Sequence, residues 1–483
     1  MPQLGSYMLL APVIAISIWA LVVLVAELFS VGRRHLAVAW LTVVALIATA
    51  LITGGIDERG VFGGAIALDG LTVYATVLAC ALAALSVVMA MDYLPTTGIE
   101  GGEYYPLVLF AVAGVVVMAA ATDLIVMFLG LETMSIAVYV LAGIWKSEEK
   151  SNEAALKYFL LGAFASAFML YGIALVYAAT GSTLLSEIAT YAADVPASEG
   201  RSVLLVGAAM LMVGFGFKVA AVPFHLWTPD VYEGAPTSVT VFMATVVKLG
   251  AFAATIRTML VGFEAVSGDL WLALWIAAAV TMTVGNFVAL RQTGIKRMLA
   301  YSSIAHSGYL LVGLAAGTPE AGEAMLFYLA VYGVMNLGAF GVAMALSEDD
   351  ATEQRLSDLA GIGHSRPVLA IAMTLCMLSL VGIPPLGGFL GKLYLFSAAL
   401  EAGLVGLVIV AVLNSAVSAF YYLGVVRIMY FDRGNEDPQP LASRPYIWAA
   451  LAISVAAVVA FGLMPGSVLS GATVALEGVL LGP

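Results

Sequence analysis

The chain reads as a series of long apolar runs parted by short breaks rich in Gly, Pro or charged residues. Crossing the hydrocarbon layer of a bilayer takes roughly 20 apolar residues per helix. On that measure the runs predict about fourteen helices: 8–29, 36–54, 70–91, 105–121, 123–144, 155–179, 203–224, 236–260, 270–290, 297–316, 321–346, 367–401, 404–426 and 446–464. The seventh and twelfth carry internal prolines and are predicted to be interrupted. The first run is not expected to be a cleaved signal peptide, because no basic segment precedes it and Arg33 and Arg34 follow it. The pattern predicts an all-α polytopic membrane protein.

Composition agrees. Of 483 residues, 62% are hydrophobic and 10% are Asp, Glu, Lys or Arg, against roughly 25% charged in a soluble domain. That balance excludes a water-soluble globular protein, a disordered chain and a nucleic-acid binder. The net charge of −12 says little about partners, since its meaning depends on which side each loop faces. Cys80 and Cys376 lie far apart in apolar runs. They form no CxxC pair and cannot supply the four thiolates of an iron–sulfur cluster, so no metal or redox centre is expected in this chain.

The cations give an orientation. If the first loop is cytoplasmic, the odd-numbered loops hold Arg33, Arg34, Lys146, Lys150, Lys157, Arg291, Lys296, Arg297, Arg355, Arg366, Arg427, Arg433 and Arg444. The even-numbered loops hold only Arg59, Arg201 and Arg257. Basic residues collect on the cytoplasmic side, so both termini are expected on the outer side of an inner membrane.

Three cations remain: Lys218, Lys248 and Lys392, each flanked by apolar sequence. On this reading the arginines stay near water and only lysines go deep. A charge at mid-helix costs roughly 2.5–3.5 kcal/mol on insertion scales and marks a pathway or relay. A buried lysine titrates nearer neutrality than an exposed one, whereas arginine stays protonated. The structural alternative is snorkelling of the long side chain to the interface. Glu132, about ten residues into the fifth span, is the natural counter-ion, since a buried carboxylate needs a partner. A plain helix-fastening salt bridge is the alternative for this pair. Asp123 opens the same span, where a carboxylate complements the helix dipole.

His306 lies mid-span in YSSIAHSGYLL beside Tyr301, Ser302, Ser303 and Ser307, a polar set able to carry a hydrogen-bonded chain; an ordinary packed histidine is the alternative. A metal or haem ligand would need a second His at ligand spacing. His225 follows Pro223 at a helix end, where gating and capping are both open. Proline removes a donor and clashes with the preceding turn, so Pro223 and the pair Pro384–Pro385 should open their helices. Freed backbone at membrane depth is tolerated where it is buried or lines a wet cavity. Two such spans, one in each half and each near a lysine, point to an inverted-repeat transporter.

These residues carry a resemblance. LKYFLLGAFASAFMLYGIALVYAATGS (156–182), KVAAVPFHLWTPDVYEGAPTSVTVFMATVVKLGAF (218–252), IKRMLAYSSIAHSGYLL (295–311) and GIPPLGGFLGKLYLF (382–396) resemble the antiporter-like membrane subunits of proton-pumping NADH:quinone oxidoreductase, respiratory complex I, and among them the subunit N type. The resemblance spans essentially the whole chain. It implies two inverted five-helix repeats with broken helices 7 and 12, placed at 105–260 (helices 4–8) and 270–430 (helices 9–13). A three-helix segment at 1–104 precedes them, and helix 14 with a tail at 431–483 follows. It also implies a relay of Glu132, Lys218, Lys248, His306 and Lys392, with Lys157 a secondary position near the Glu132–Lys218 pair. It further implies no cofactor bound by this chain, with NADH, FMN, iron–sulfur clusters and quinone in partner subunits. The expected partners are the other membrane subunits of that complex, including adjacent antiporter-like and small ones, and the lipid bilayer. The expected activity is H+ translocation from the cytoplasm across a bacterial inner membrane. The rivals are a subunit of a Na+/H+ antiporter or membrane-bound hydrogenase of the same fold, and a non-conducting scaffold.

Overall fold

In hydrocarbon every backbone N–H and C=O must find its partner within the protein, and a long apolar run does so by closing into a helix. The computed structural model describes residues 7–30, 35–99, 102–194, 199–347, 354–434 and 443–480. Arg33 and Arg34 lie outside the described residues.

The elements run α1 (Ala11–Leu28), α2 (His35–Gly54), a small antiparallel hairpin of β1 (Gly60–Phe62) and β2 (Ile66–Leu68), α3 (Gly70–Thr96), α4 (Tyr104–Ala120) and α5 (Leu124–Ala142). Next come α6 (Glu149–Thr180), α7 (Leu185–Asp194), α8 (Glu199–Val219) and α9 (Trp227–Gly234). Then follows α10 (Thr237–Gly262), one span that widens to π-helical turns at Met243–Val247 and Thr258–Gly262. The second half holds α11 (Ser267–Ala289), α12 (Ile295–Ala316), α13 (Pro319–Leu346), α14 (Pro367–Val381), α15 (Gly387–Glu401), α16 (Val405–Phe431), α17 (Pro445–Leu463) and α18 (Gly466–Leu480).

Every span expected from the sequence falls on a helix or a broken helix. Among the described residues, 12 helices are long and apolar enough to cross a membrane. The two expected spans outside that set have simple reasons. The fourth, α4, has 17 residues, and the double proline divides the twelfth into α14 and α15 of 15 residues each. Four of these elements had no expectation: the β-hairpin, the short α7, the short α9, and α18, which occupies what was read as a tail.

Burial sorts the helices. The most apolar stretch of α10 is 100% buried, and those of α12 and α13 are 94% buried, against 22% for α1. A helix apolar all round belongs in the core, so α10, α12 and α13 form the centre. The outer helices turn Phe164, Leu160 and Phe420 outward, where lipid replaces protein contacts.

One expectation needs correction. Arg257, taken as a loop residue near water, lies inside α10 and is fully buried. Its guanidinium donates two hydrogen bonds to the Asp69 carboxylate, at 2.6 and 2.8 Å, and another to the Ala119 carbonyl at 2.9 Å. A buried arginine needs a planar, bidentate acceptor, and Asp69, the N-cap of α3, provides one.

Candidate functional site

Lys218, Lys248 and Lys392 are 3, 2 and 5% exposed. None of them snorkels to an interface, and each is held differently.

Lys218 sits in the last turn of α8, just before the first break. There Ala220 adopts a left-handed conformation (φ 61), a backbone state that a residue with a Cβ holds only when its surroundings enforce it. The Phe217 carbonyl accepts from the Ala220 amide at 3.2 Å and from the Trp227 indole at 2.9 Å, so the turn is closed without the lysine. The Lys218 ammonium lies among aromatic faces, 5.0 Å from the ring centres of Tyr139 and Tyr158 and 5.5 Å from Phe217. It donates to the Tyr139 hydroxyl at 3.3 Å. Desolvated cation–π contacts partly replace lost hydration.

Glu132 is half-buried on α5 and accepts a hydrogen bond from the Ser166 hydroxyl of α6. It is near enough to Lys218 for the two charges to act on each other. Direct contact was expected from the sequence; instead, among the described ion pairs Glu132 and Lys218 are not joined, and Tyr139 meets the ammonium.

Lys248 follows the first π-turn of α10, a local widening of the kind that recurs at functional sites. Its ammonium donates to the Ser303 carbonyl at 2.7 Å and to the Ser303 hydroxyl. Tyr332 of α13 donates to that same hydroxyl at 2.8 Å and presents its ring 5.1 Å from the ammonium.

His306, one helical turn beyond Ser302 and Ser303 on α12, is tied at both nitrogens. Nδ1 is 2.6 Å from the Tyr328 hydroxyl, and Nε2 is 3.0 Å from that of Tyr422. Tyr422 also meets the Ser302 hydroxyl. Lys248 and Lys392 are both within electrostatic reach of this ring.

Lys392 lies after its break. The last carbonyls of a helix have no intrahelical donors and form the negative end of its dipole. At the end of α14 they receive Lys392: Leu380 at 3.0 Å and Val381 at 2.8 Å, with the Ser415 hydroxyl at 2.9 Å as third acceptor. All three ammonium donors are used. Gly382 permits this turn, with φ 92, and a Cβ there would meet Lys392 Cδ at 3.1 Å.

The other sequence candidates separate. Asp123 is the N-cap of α5, accepting from the Ile125 and Val126 amides at 2.7 and 3.1 Å, which is the capping role. His225 lies in the first break with Nδ1 buried and unpartnered. Tyr301 packs partly buried against the apolar core, apart from the His306 network. Pro223 and the Pro384–Pro385 pair stand at the two breaks as expected. Lys157 belongs to a surface ring of charges, bonded to Glu153 and Asp230 at 2.8 Å each. Arg297 closes the ring on Asp230 at 3.0 Å and Glu233 at 2.6 Å. These residues line a cavity of about 210 Å³ between α6, α9 and α12. Partial burial pushes the Asp230 carboxyl up, but Lys157 and Arg297 outweigh it and hold Asp230 below the usual carboxylate range.

The residues missed from sequence are hydroxyls: Tyr139, Ser166, Tyr328, Tyr332, Ser415 and Tyr422. The spacing Glu132–Ser135–Tyr139, on one helical face, was the available signal for the first. Beside Lys218 the side chains form an aromatic cluster. Tyr158 lies on Trp227 at 4.4 Å, and Trp227 meets Tyr232 at 6.0 Å. No group of three or more His, Cys, Asp or Glu suited to a metal occurs among the described residues.

A family model described as NADH:quinone oxidoreductase/Mrp antiporter, transmembrane, matches residues 121–418. The NADH-quinone oxidoreductase subunit N of Trichlorobacter lovleyi is 44% identical over 468 residues, covering 96% of each chain. Among solved structures, a chain of respiratory complex I from Thermus thermophilus with bound aureothin superposes with a TM-score of 0.80. It is 36% identical and the match covers 95% of this chain and 98% of that one. A chain of the Mrp complex of Dietzia shares the fold, with a TM-score of 0.84 at 23% identity over 99% of this chain and 98% of that one.

Proposed function

The chain belongs to the NADH:quinone oxidoreductase/Mrp antiporter family of membrane proteins, and on that premise we propose that it is a subunit N that moves protons through a buried axis of Glu132, Lys218, Lys248, His306 and Lys392. It works within NADH:quinone oxidoreductase beside other membrane subunits. The observation that carries the reading is the burial of three lysines along the membrane interior, each bonded to uncharged oxygen.

A lysine held this way is not locked. Its partners are hydroxyls and carbonyls rather than a contacting carboxylate, so the proton is not pinned by an opposite charge. Protons enter from the cytoplasmic side past the Lys157–Asp230–Arg297 ring and pass to Lys218. Lys248 then passes its proton through Ser303, Ser302, Tyr422 and His306 towards Lys392. Because these positive groups act on one another at low dielectric, loading one lowers the proton affinity of the next. The family relationship further supports two inverted repeats, helices 4–8 and 9–13, with Lys218 and Lys392 at their breaks, and both termini on the outer face of a bacterial inner membrane. Redox chemistry is assigned to partner subunits that hold NADH, FMN, iron–sulfur clusters and quinone, with none bound here.

The test is the whole complex, purified and reconstituted, scored for electron transfer and for vectorial H+ uptake with Lys218, Lys248 and Lys392 replaced singly by Ala. Loss of uptake in assembled complex supports the relay. Unchanged uptake in all three sinks it and leaves a scaffold.

A further inference from the structure

Glu132 and Tyr139 lie seven residues apart on α5, two turns along one face, and Tyr139 occupies the hydrogen-bonding position on the Lys218 ammonium. The facing stripe of α6 is Tyr158, Gly162 and Ser166, each four residues from the next and so also on one face. Each member has a distinct relation to the path. Ser166 holds the Glu132 carboxylate. Gly162 lies directly against the Tyr139 hydroxyl, where a Cβ would collide with it. Tyr158 meets the Tyr139 ring edge-on at 4.7 Å and the Lys218 ammonium at 5.0 Å, and its own hydroxyl is fully buried with no hydrogen-bond partner.

An orphaned buried hydroxyl is costly, and here it lies beside a cation and a second phenol. Tyr139 takes the ammonium and Ser166 takes the carboxylate, so the charges stand apart. If the Tyr139 hydroxyl withdraws, Tyr158 is placed to receive it, and the ammonium is released towards Glu132. Gly162 leaves the space in which the phenol moves.

We propose that Tyr139 is a positioning residue that sets whether Lys218 is paired with Glu132 or held apart from it. This rests on the proton-translocation reading, and it adds a gate that neither charged residue supplies alone. Removal of the hydroxyl leaves the ammonium without its one hydrogen-bond acceptor, and the lysine then collapses onto Glu132.

The experiment uses the intact complex in liposomes carrying Tyr139→Phe or Gly162→Ala, the second displacing the hydroxyl without removing it. NADH-driven H+ uptake is measured beside the infrared carboxylate bands of Glu132, assigned by their loss in Glu132→Gln. The expected result is a fall in uptake by a factor on the order of 10–100, as for other small misplacements of reacting groups, with a shift in the Glu132 band. The Tyr139→Phe/Glu132→Gln double variant should pump no worse than Glu132→Gln alone, since coupled sites are not additive. Normal uptake in both single variants, or lost uptake with an unmoved Glu132 band and additive losses, overturns the gate. If Tyr139→Phe does not assemble, Gly162→Ala decides by the same criteria. Normal uptake in Glu132→Gln and Lys218→Ala instead overturns the underlying pump reading, so the two failures are distinct.

Discussion

The Lys392 ammonium lies 2.8 Å from the carbonyl oxygen of Val381, the last residue of α14. The break at Pro384–Pro385 therefore makes a cation site out of backbone. In the first half the corresponding carbonyl, that of Phe217, accepts from the Ala220 amide and the Trp227 indole instead. The two breaks thus do different work: one binds a lysine ammonium through its backbone, and the other is closed while its lysine rests among aromatic rings.

From this follows a test by charge-preserving substitution. Arginine keeps the positive charge that the α14 carbonyls require but does not give up its proton. Lys392→Arg and Lys392→Met are both expected to assemble, and both should lose H+ uptake by about 100-fold, the scale of a missing proton-transfer group. Uptake by reconstituted complex is the measurement. An arginine variant that pumps like the parent would reduce Lys392 to a counter-charge.

Tyr422 hydrogen-bonds two polar groups one turn apart on α12, Ser302 and His306. Tyr422→Phe keeps the ring in its packed place and deletes both bonds. The Ser302 hydroxyl and His306 Nε2 are then left buried without that partner, at a cost of about 1–3 kcal/mol each. Proton transfer between Lys248 and Lys392 should slow markedly, because the His306 Nε2 bond is gone. Thermal stability and uptake rate together check this: a large stability loss with normal uptake would make Tyr422 a packing residue.

Much of this was legible before any coordinates. Lys218, Lys248, Lys392 and Glu132 stand out because a charge inside an apolar run has few explanations, and prolines mark the breaks because they cannot continue a helix. The tyrosines were hidden for the opposite reason. Tyr139, Tyr158, Tyr328 and Tyr422 read as core aromatics, and a hydroxyl's partner is set by packing across helices. The π-turns of α10 leave no residue signature. Arg257 was misplaced because it falls near the end of an apolar run, and its partner Asp69 comes from a distant loop that sequence does not bring near. The contact of Glu132 with Lys218 was the reasonable reading of two buried opposite charges, and the intervening phenol is what sequence could not reveal.

The Arg257–Asp69 pair makes a prediction about assembly rather than transport. It clamps the central helix α10 to α3 and to the Ala119 carbonyl of α4. Breaking a buried pair from one side leaves a lone buried charge, at a cost of about 3–5 kcal/mol. Arg257→Met or Asp69→Leu alone should sharply lower the amount of assembled complex and its thermal midpoint. The double variant, with no charge left unpaired, should recover much of the loss. Blue-native electrophoresis and a melting curve of purified complex read both. Equal damage in single and double variants would mean that geometry, not charge, is what the clamp supplies.

At the partly exposed ring of Lys157, Asp230 and Arg297 the charges act weakly, and pH separates their contribution from the rest. Burial alone would raise the Asp230 carboxyl, but the bonds from Lys157 and Arg297 hold it below the ordinary range. A carboxyl depressed in the folded state stabilises that state at pH above its unfolded value, about 3.9. That contribution fades as pH falls through the lower folded value. All three groups are about a third or more exposed, so the pair energies are roughly 0.2–1 kcal/mol each. Asp230→Asn should therefore cost about 1 kcal/mol near neutrality and less as the solution is acidified, with the two melting-temperature curves converging at low pH. Salt should erode the same difference, since partly exposed pairs are screened. Because Lys157 is on α6 and Arg297 on α12, Asp230 ties the helix that carries Ser166 to the one that carries His306. A loosened ring should thus appear as a slower uptake rate at low protein stability cost, and a difference that stays constant with pH and salt would show that Asp230 acts by packing instead.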